Sequence, residues 1–248
     1  MIEVRNLSYR YPGCTSYALH NLSFDIPDAF VTAIMGSNGS GKSTLARCMN
    51  GLLKPTSGEV SVDGMRTTDE CNLYNVRRRV GMIFQDPHLQ MTSATVEREL
   101  AFGLENLGVE SAEMHNLVDE QLRLFGLEKY RDVSPSSLSG GEQQRLAIAS
   151  VVLLNPRYLV LDEATSLLSG MSRRMVLELA LREKKEKNVS IVLITQFSSE
   201  ALSADRLIIL HAGGILLDDS PGKVFRNAQE LLSLGVSVPA RSRLEQMQ

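Results

Sequence analysis

The sequence has no apolar run that approaches the roughly 20 residues needed to cross a bilayer. Its best candidates, residues 191–194 and 207–210, have the length of buried strands. It also lacks a charged and apolar leader, since Ile2, Val4 and Leu7 begin a strand-like alternation almost at once. The chain is therefore expected to be neither secreted nor membrane-embedded on its own account. Cysteine is scarce: Cys14, Cys48 and Cys71 are odd in number, scattered and without metal spacing. That excludes a disulfide framework and suits free thiols in a reducing cytoplasm. No charge of one sign dominates, because the formal net charge is -3, and nothing in the bulk electrostatics asks for nucleic acid. The histidines His20, His88, His115 and His211 have no metal-ligand spacing. Internal repeats and low-complexity segments are absent as well.

What is present is an ordinary globular composition, with 43% hydrophobic and 22% charged residues in 248. That length allows one large α/β domain or two small ones. Short apolar segments at 3–9, 18–26, 30–35 and 59–62 predict strands in the first third. A helix is expected from Gly41 to about Asn50, ended by Gly51 with Pro55 beyond it. After a further buried strand at 80–84, apolar positions take helical spacing from about 95 to 152. Then follow a strand at 158–161, a helix at 172–184, strands at 190–195 and 206–210, and a last hairpin strand at 213–217. A small helical tail begins near Pro221. Near-continuous apolar strands alternating with helices predict a mostly parallel sheet covered on both faces.

The first chemical signal is Gly36-Ser37-Asn38-Gly39-Ser40-Gly41-Lys42-Ser43, which fits the phosphate-binding pattern G-x-x-x-x-G-K-[ST]. An apolar strand precedes it and a helix-forming run opening with Thr44 follows. Glycines let successive backbone N–H groups turn toward phosphate oxygens, and the helix N-terminus adds positive partial charge. Lys42 is expected to reach the β- and γ-phosphates and the Ser43 hydroxyl to ligate Mg²⁺.

Two later segments narrow the choice among phosphate-loop proteins. Leu138-Ser139-Gly140-Gly141-Glu142-Gln143-Gln144-Arg145 combines small residues with a helix predicted to start near Glu142. Alone it could be a helix cap, with Ser139 as N-cap and Gln144 as its box partner. Tyr158-Leu159-Val160-Leu161-Asp162-Glu163 ends an apolar strand on two carboxylates. An acidic pair there could merely precede a helix capped by Thr165 or Ser166.

Taken in order, these segments resemble the P-loop, signature and Walker B motifs of ABC ATPases. The resemblance covers essentially the whole chain. It implies a P-loop NTPase fold in the α/β class, with a RecA-like parallel-sheet core and an N-terminal antiparallel β subdomain. An inserted helical subdomain would occupy about 90–150. Residues 1–220 would then form the nucleotide-binding domain and 221–248 a helical extension that helps hold a dimer. It further implies ATP and Mg²⁺ as ligands, with Ser37 to Thr44 around the phosphates. Ser139, Gly140, Gly141 and Gln143 would cap a nucleotide bound by the opposite subunit. Asp162 would hold the metal shell and Glu163 would act as general base. Gln85, after the strand at 80–84, would touch metal or attacking water. Tyr11 would stack on adenine, with Tyr9 as competitor.

Two positions depart from the family. Gln196 stands where a histidine is usual, and an amide can donate to phosphate but cannot change charge near neutrality. Ser169 stands where an aspartate usually bridges the subunits. Either these are tolerated changes, or the chain supplies the slower site of an asymmetric pair. The run from Gly81 to Pro87, the segment from Ala101 to Gly108 and the tail from Leu231 to Pro239 are similar to energy-coupling-factor ATPases. That likeness implies import of vitamins or transition-metal ions in a prokaryote, at the cytoplasmic face of the membrane. The implied partners are a second ABC ATPase subunit, a transmembrane coupling subunit docking near Gln85 and a separate substrate-binding membrane subunit. His88 occupies a position that is often acidic in that group.

Overall fold

The computed structural model describes residues 1–244, and the side chains of 1–242. In chain order the strands and helices are β1 (Ile2–Tyr9), β2 (Leu19–Ile26), β3 (Val31–Met35), α1 (Lys42–Met49), β4 (Ser57–Val62), β5 (Met65–Arg66), α2 (Leu73–Arg79) and β6 (Val80–Ile83). Next come α3 (Val96–Asn106), α4 (Ser111–Phe125), α5 (Gly140–Leu153), β7 (Tyr158–Asp162), α6 (Gly170–Lys187) and β8 (Ser190–Ile194). The chain continues with α7 (Ser198–Ala201), β9 (Arg206–His211), β10 (Gly214–Asp219), α8 (Pro221–Val224), α9 (Ala228–Ser233) and α10 (Ala240–Leu244).

Two sheets result. An antiparallel sheet runs β2-β1-β4-β5, and a second runs β10-β9-β3-β8-β7-β6. In the second, β9, β3, β8, β7 and β6 are parallel and only β10 is antiparallel. The expected parallel core and antiparallel β subdomain are both present.

Strand alternation explains the layering. Tyr158 and Val160 of β7, Val192 and Ile194 of β8, and Ile208 and Leu210 of β9 point to one face. There they meet α1 and the antiparallel sheet in one core. Leu159, Leu161, Ile191 and Leu193 point the other way, under the α3–α5 helices and α6. At β3 and β9 that second face carries Ala33, Met35, Leu207 and Ile209, covered by Val224, Phe225, Leu231, Val236 and Val238 of the tail. The tail therefore roofs the strand from which the phosphate loop leaves.

Boundaries shift modestly from the sequence-based expectation. The helix expected at 172–184 runs Gly170–Lys187, because Ser169 caps it by accepting from the Ser172 N–H. Neither Thr165 nor Ser166 takes that position. Helix α2 has no counterpart among the expected elements: Val76 is its single buried residue, so it shows no apolar stripe.

Candidate functional site

The phosphate loop leaves the buried end of β3 and closes on α1. Gly41 has φ +102°, and a Cβ there would lie 2.4 Å from the Ala18 carbonyl oxygen. Only glycine fits both the dihedral and the gap. Lys42 is buried, and its Nζ donates to the carbonyls of Gly36 (2.9 Å) and Ser37 (3.0 Å). The ammonium thus sits inside the curl of the loop.

Strand β7 delivers the carboxylates. Its five residues are all buried, which carries Asp162 into the protein while keeping it beside α1. The Ser43 hydroxyl donates to Asp162 Oδ1 at 2.9 Å. Burial pushes the Asp162 carboxyl above its ordinary range, and neighbouring Glu163 adds to that, partly offset by the Ser43 hydrogen bond. An under-compensated carboxylate facing a hydroxyl is a fitting oxygen set for a hard cation that takes its other ligands from water and phosphate.

Glu163 adopts φ +51°, a left-handed conformation uncommon for a side-chain-bearing residue. The turn is fixed from both sides. The Glu163 N–H donates to the Ile194 carbonyl at 3.0 Å and its own carbonyl accepts from the Ser166 N–H at 2.9 Å. The result aims the carboxylate back toward the phosphate loop. Glu163 Oε1 lies 3.6 Å from Lys42 Nζ, and Oε2 accepts from the Gln196 amide at 2.7 Å. The same amide is 3.4 Å from Asn38 Oδ1. Gln85 reaches across to the Ser166 hydroxyl at 3.4 Å.

Asn38, Lys42, Ser43, Gln85, Glu163 and Gln196 line one open cleft of about 410 Å³ with Tyr11 and Thr44, while Asp162 stands behind Ser43 and outside the lining. Tyr9 is buried in the core, whereas Tyr11 lies beyond the strand, lines the cleft and shares a 3.0 Å hydrogen bond with the Thr44 hydroxyl. Ser37 opens instead onto a smaller cavity shared with Gly235, Val236 and Ser237. The Ser40 side chain is buried beneath the loop.

Ser139, Gly140, Gly141 and Gln143 form no part of this cleft. They sit at the start of α5 in the helical region, and the helix begins at Gly140 rather than near Glu142. The capping-box partner of Ser139 is Glu142, not Gln144, because the third residue of the helix is the one that can reach back. The Glu142 carboxylate accepts from the Ser139 backbone N–H (2.9 Å), the Ser139 hydroxyl (2.6 Å) and the Tyr130 hydroxyl. Those bonds, the Ser139 hydroxyl first, hold its carboxyl down at about 2. Gln143 is buried and donates to the Pro135 carbonyl at 3.0 Å, so its side chain faces the helical core and not the open surface. Gln144 likewise points inward, toward the Phe84 carbonyl.

Glu142 takes a role that the sequence reading did not assign to it, although it stands three residues after a candidate N-cap serine.

No helix among the described residues is long and apolar enough to cross a membrane. Residues 19–166 match the family described as ABC transporter. The chain is 43% identical to the energy-coupling factor transporter ATP-binding protein EcfA of Syntrophomonas wolfei, over 96% of this chain and 87% of that protein. Among solved structures, cbiO1 from Clostridium perfringens, described as part of the ABC transporter complex cbiONQ, superposes with a TM-score of 0.83. Its identity is 32%, over 99% of this chain and 98% of that one. The ATP-binding cassette MJ0796, solved as a dimer in a post-hydrolysis state with ADP and Pi, gives a TM-score of 0.82 at 28% identity, over 89% and 99%.

Proposed function

The chain belongs to the ABC transporter family, and from that membership we infer that it is the ATP-hydrolysing subunit that energises an energy-coupling-factor importer. The observation that carries the reading is the convergence on one cleft of Lys42, Ser43, Gln85, Glu163 and Gln196, with Asp162 bonded to Ser43 at its base. Lys42, already inside the loop, meets the β- and γ-phosphates. Ser43 and Asp162 would supply oxygens for a Mg²⁺ ion, which when bound would offset phosphate charge. Glu163 orients and deprotonates the attacking water. Gln85 and the Gln196 amide bracket the same space, and Gln196 can donate to a phosphate oxygen. The Tyr11 ring offers an apolar face at the cleft mouth for the base.

A single copy is incomplete on this reading. The Ser139 loop lies outside the cleft, yet it presents a helix N-terminus suited to an anion. A second cassette turned head to tail brings that loop over the γ-phosphate. ATP joins the two subunits and hydrolysis parts them. The pair drives import of a vitamin or transition-metal ion through a transmembrane coupling subunit and a separate substrate-binding subunit at the cytoplasmic face. The coupling subunit docks beside Gln85, where Leu52, Arg77, Arg78, Phe84 and Leu154 line a groove of about 250 Å³. Residues 1–220 form the nucleotide-binding domain and the stretch from 221 the extension that steadies the dimer; 245–248, assigned to the same extension, lie outside the described residues.

One observation favours a second reading, in which this chain is the slower half of an asymmetric pair. The Gln196 amide engages the Glu163 carboxylate directly at 2.7 Å, an arrangement that occupies one oxygen of the base and leaves it fewer acceptor positions for the attacking water. Mg·ATPase activity of the purified chain, measured against its own concentration with Glu163→Gln as blank, separates the two. Turnover that rises with concentration and vanishes in the blank supports a working homodimer. Nucleotide binding without turnover points to a homologous partner, and a blank as active as the wild type refutes the site.

A further inference from the structure

An ion pair outside the cleft, between half-buried Arg173 and buried Glu200, ties together the two loops that carry its chemistry. Arg173, on the first turns of α6, donates to the Leu168 carbonyl at 3.2 Å, in the loop that leaves Glu163. Its guanidinium also lies 3.4 Å from the centre of the Phe197 ring, next to Gln196. Its Nε stands 3.8 Å from Glu200 Oε1 on α7. The other Glu200 oxygen accepts from the Thr195 hydroxyl, which in turn accepts from the Phe197 N–H at 3.0 Å. Gln196 is thus held between Thr195, which bonds the Glu200 carboxylate, and Phe197, whose N–H bonds the Thr195 hydroxyl.

The chemistry distinguishes this cluster from simple packing. Glu200 is 3% exposed, and an unpaired carboxylate there is strongly disfavoured. Arg173 Nε and Glu200 Oε1 are both buried without a hydrogen-bond partner, and they face each other. A closer approach of about 1 Å would bring both within hydrogen-bond distance, and Arg173 holds the Leu168 carbonyl at the same time, so the 166–169 loop and residues 195–197 share one side chain. The exposed end of that loop, Leu167 and Ser169, is free to meet another surface.

We propose that Arg173 is a positioning residue: through Leu168 on one side and Phe197 and Glu200 on the other, it sets the Gln196 amide against Glu163 according to the placement of the 166–169 loop. This rests on the reading of Glu163 and Gln196 given above, and adds to it the part that reports loop position to them. Arg173 itself touches neither the cleft nor substrate.

The test is steady-state ATP hydrolysis by the assembled transporter. Arg173→Ala is expected to lower kcat about tenfold, with the KM for ATP unchanged within about twofold, because it misplaces a reacting group without removing a ligand. In a Gln196→Ala background the same substitution should cost less than about twofold, since residues acting through one another are not additive. Equal losses in both backgrounds, or a loss expressed in KM, overturns the proposal. Arg173→Lys keeps the charge but not the planar face over Phe197, and should lose about threefold. It carries the same comparison if Arg173→Ala does not fold. Wild-type turnover that does not depend on Glu163 refutes the underlying site and this inference with it. Glu163-dependent turnover untouched by either Arg173 substitution overturns this inference alone.

Discussion

Gly39 and Gly41 occupy the same loop but face different constraints, so paired substitutions separate the effect of backbone dihedral from that of steric room. At Gly39, φ is +79° and nothing lies within 4 Å of the point where a methyl group would stand. Gly39→Ala therefore incurs only the left-handed penalty, roughly 1–2 kcal/mol. At Gly41 the added carbon meets the Ala18 carbonyl at 2.4 Å and the Leu19 side chain at 2.6 Å. Ala18 cannot retreat freely, because its N–H is bonded to the Tyr9 carbonyl at 2.8 Å and the next residue opens a strand. Overpacking of this kind typically adds 1–3 kcal/mol. The loop must move instead, taking the backbone N–H groups away from the phosphates. Titration with a fluorescent ATP analogue should then show Gly41→Ala binding about 5- to 150-fold more weakly than Gly39→Ala, the factor those added energies imply. Equal affinities for the two variants would refute the steric reasoning, and a weaker Gly39→Ala would reverse it.

Two further outcomes follow from the charges. Because burial raises the Asp162 carboxyl in the folded state, the stability this group contributes is present below its unfolded value and lost as pH rises through the folded one. Asp162→Asn should therefore raise the melting temperature of the nucleotide-free chain at pH 7 while abolishing hydrolysis, and the gain should shrink on acidification. Glu142 behaves oppositely: its carboxyl is lowered from 4.5 to about 2, so its contribution is present above 4.5 and is lost as pH falls toward 2. After allowance for solvent screening, Glu142→Gln should cost on the order of 1 kcal/mol in chemical denaturation near neutral pH and nothing at the acid end. It should also weaken ATP-dependent association measured by light scattering, since the Ser139 loop loses its anchor.

Much of this architecture was legible because its signals are local. The phosphate loop, the strand that ends at Asp162 and the small-residue run before α5 are each contiguous, and alternation alone placed the parallel strands. Contacts that join distant segments were not. Nothing near Arg173 announces Glu200 or Phe197, and nothing near Glu163 announces its left-handed turn, which hydrogen bonds to Ile194 and Ser166 impose. Tyr11 was preferred over Tyr9 by resemblance alone, because a strand expected over 3–9 does not say which of the two rings reaches a ligand. The structure separates them, since β1 ends at Tyr9 and Tyr11 opens the turn closed by the Cys14 N–H on its carbonyl. Gln143 was misleading for a related reason. Its place in a recognisable motif says nothing of its side chain, which helix geometry turns inward to Pro135.

The tail that roofs β3 has a thermodynamic corollary. Ala33 and Met35 sit in one apolar cluster with Val236 and Val238, and the next residue after Met35 opens the phosphate loop. The far end of the chain and the phosphate cradle are thus parts of one packed unit, and interiors packed to that density transmit strain rather than absorb it. Linkage then requires reciprocity: any partner that grips the tail and alters nucleotide affinity must have its own grip altered by nucleotide in the same ratio. A partner of that kind would act on the nucleotide equilibrium from the tail, without entering the cleft.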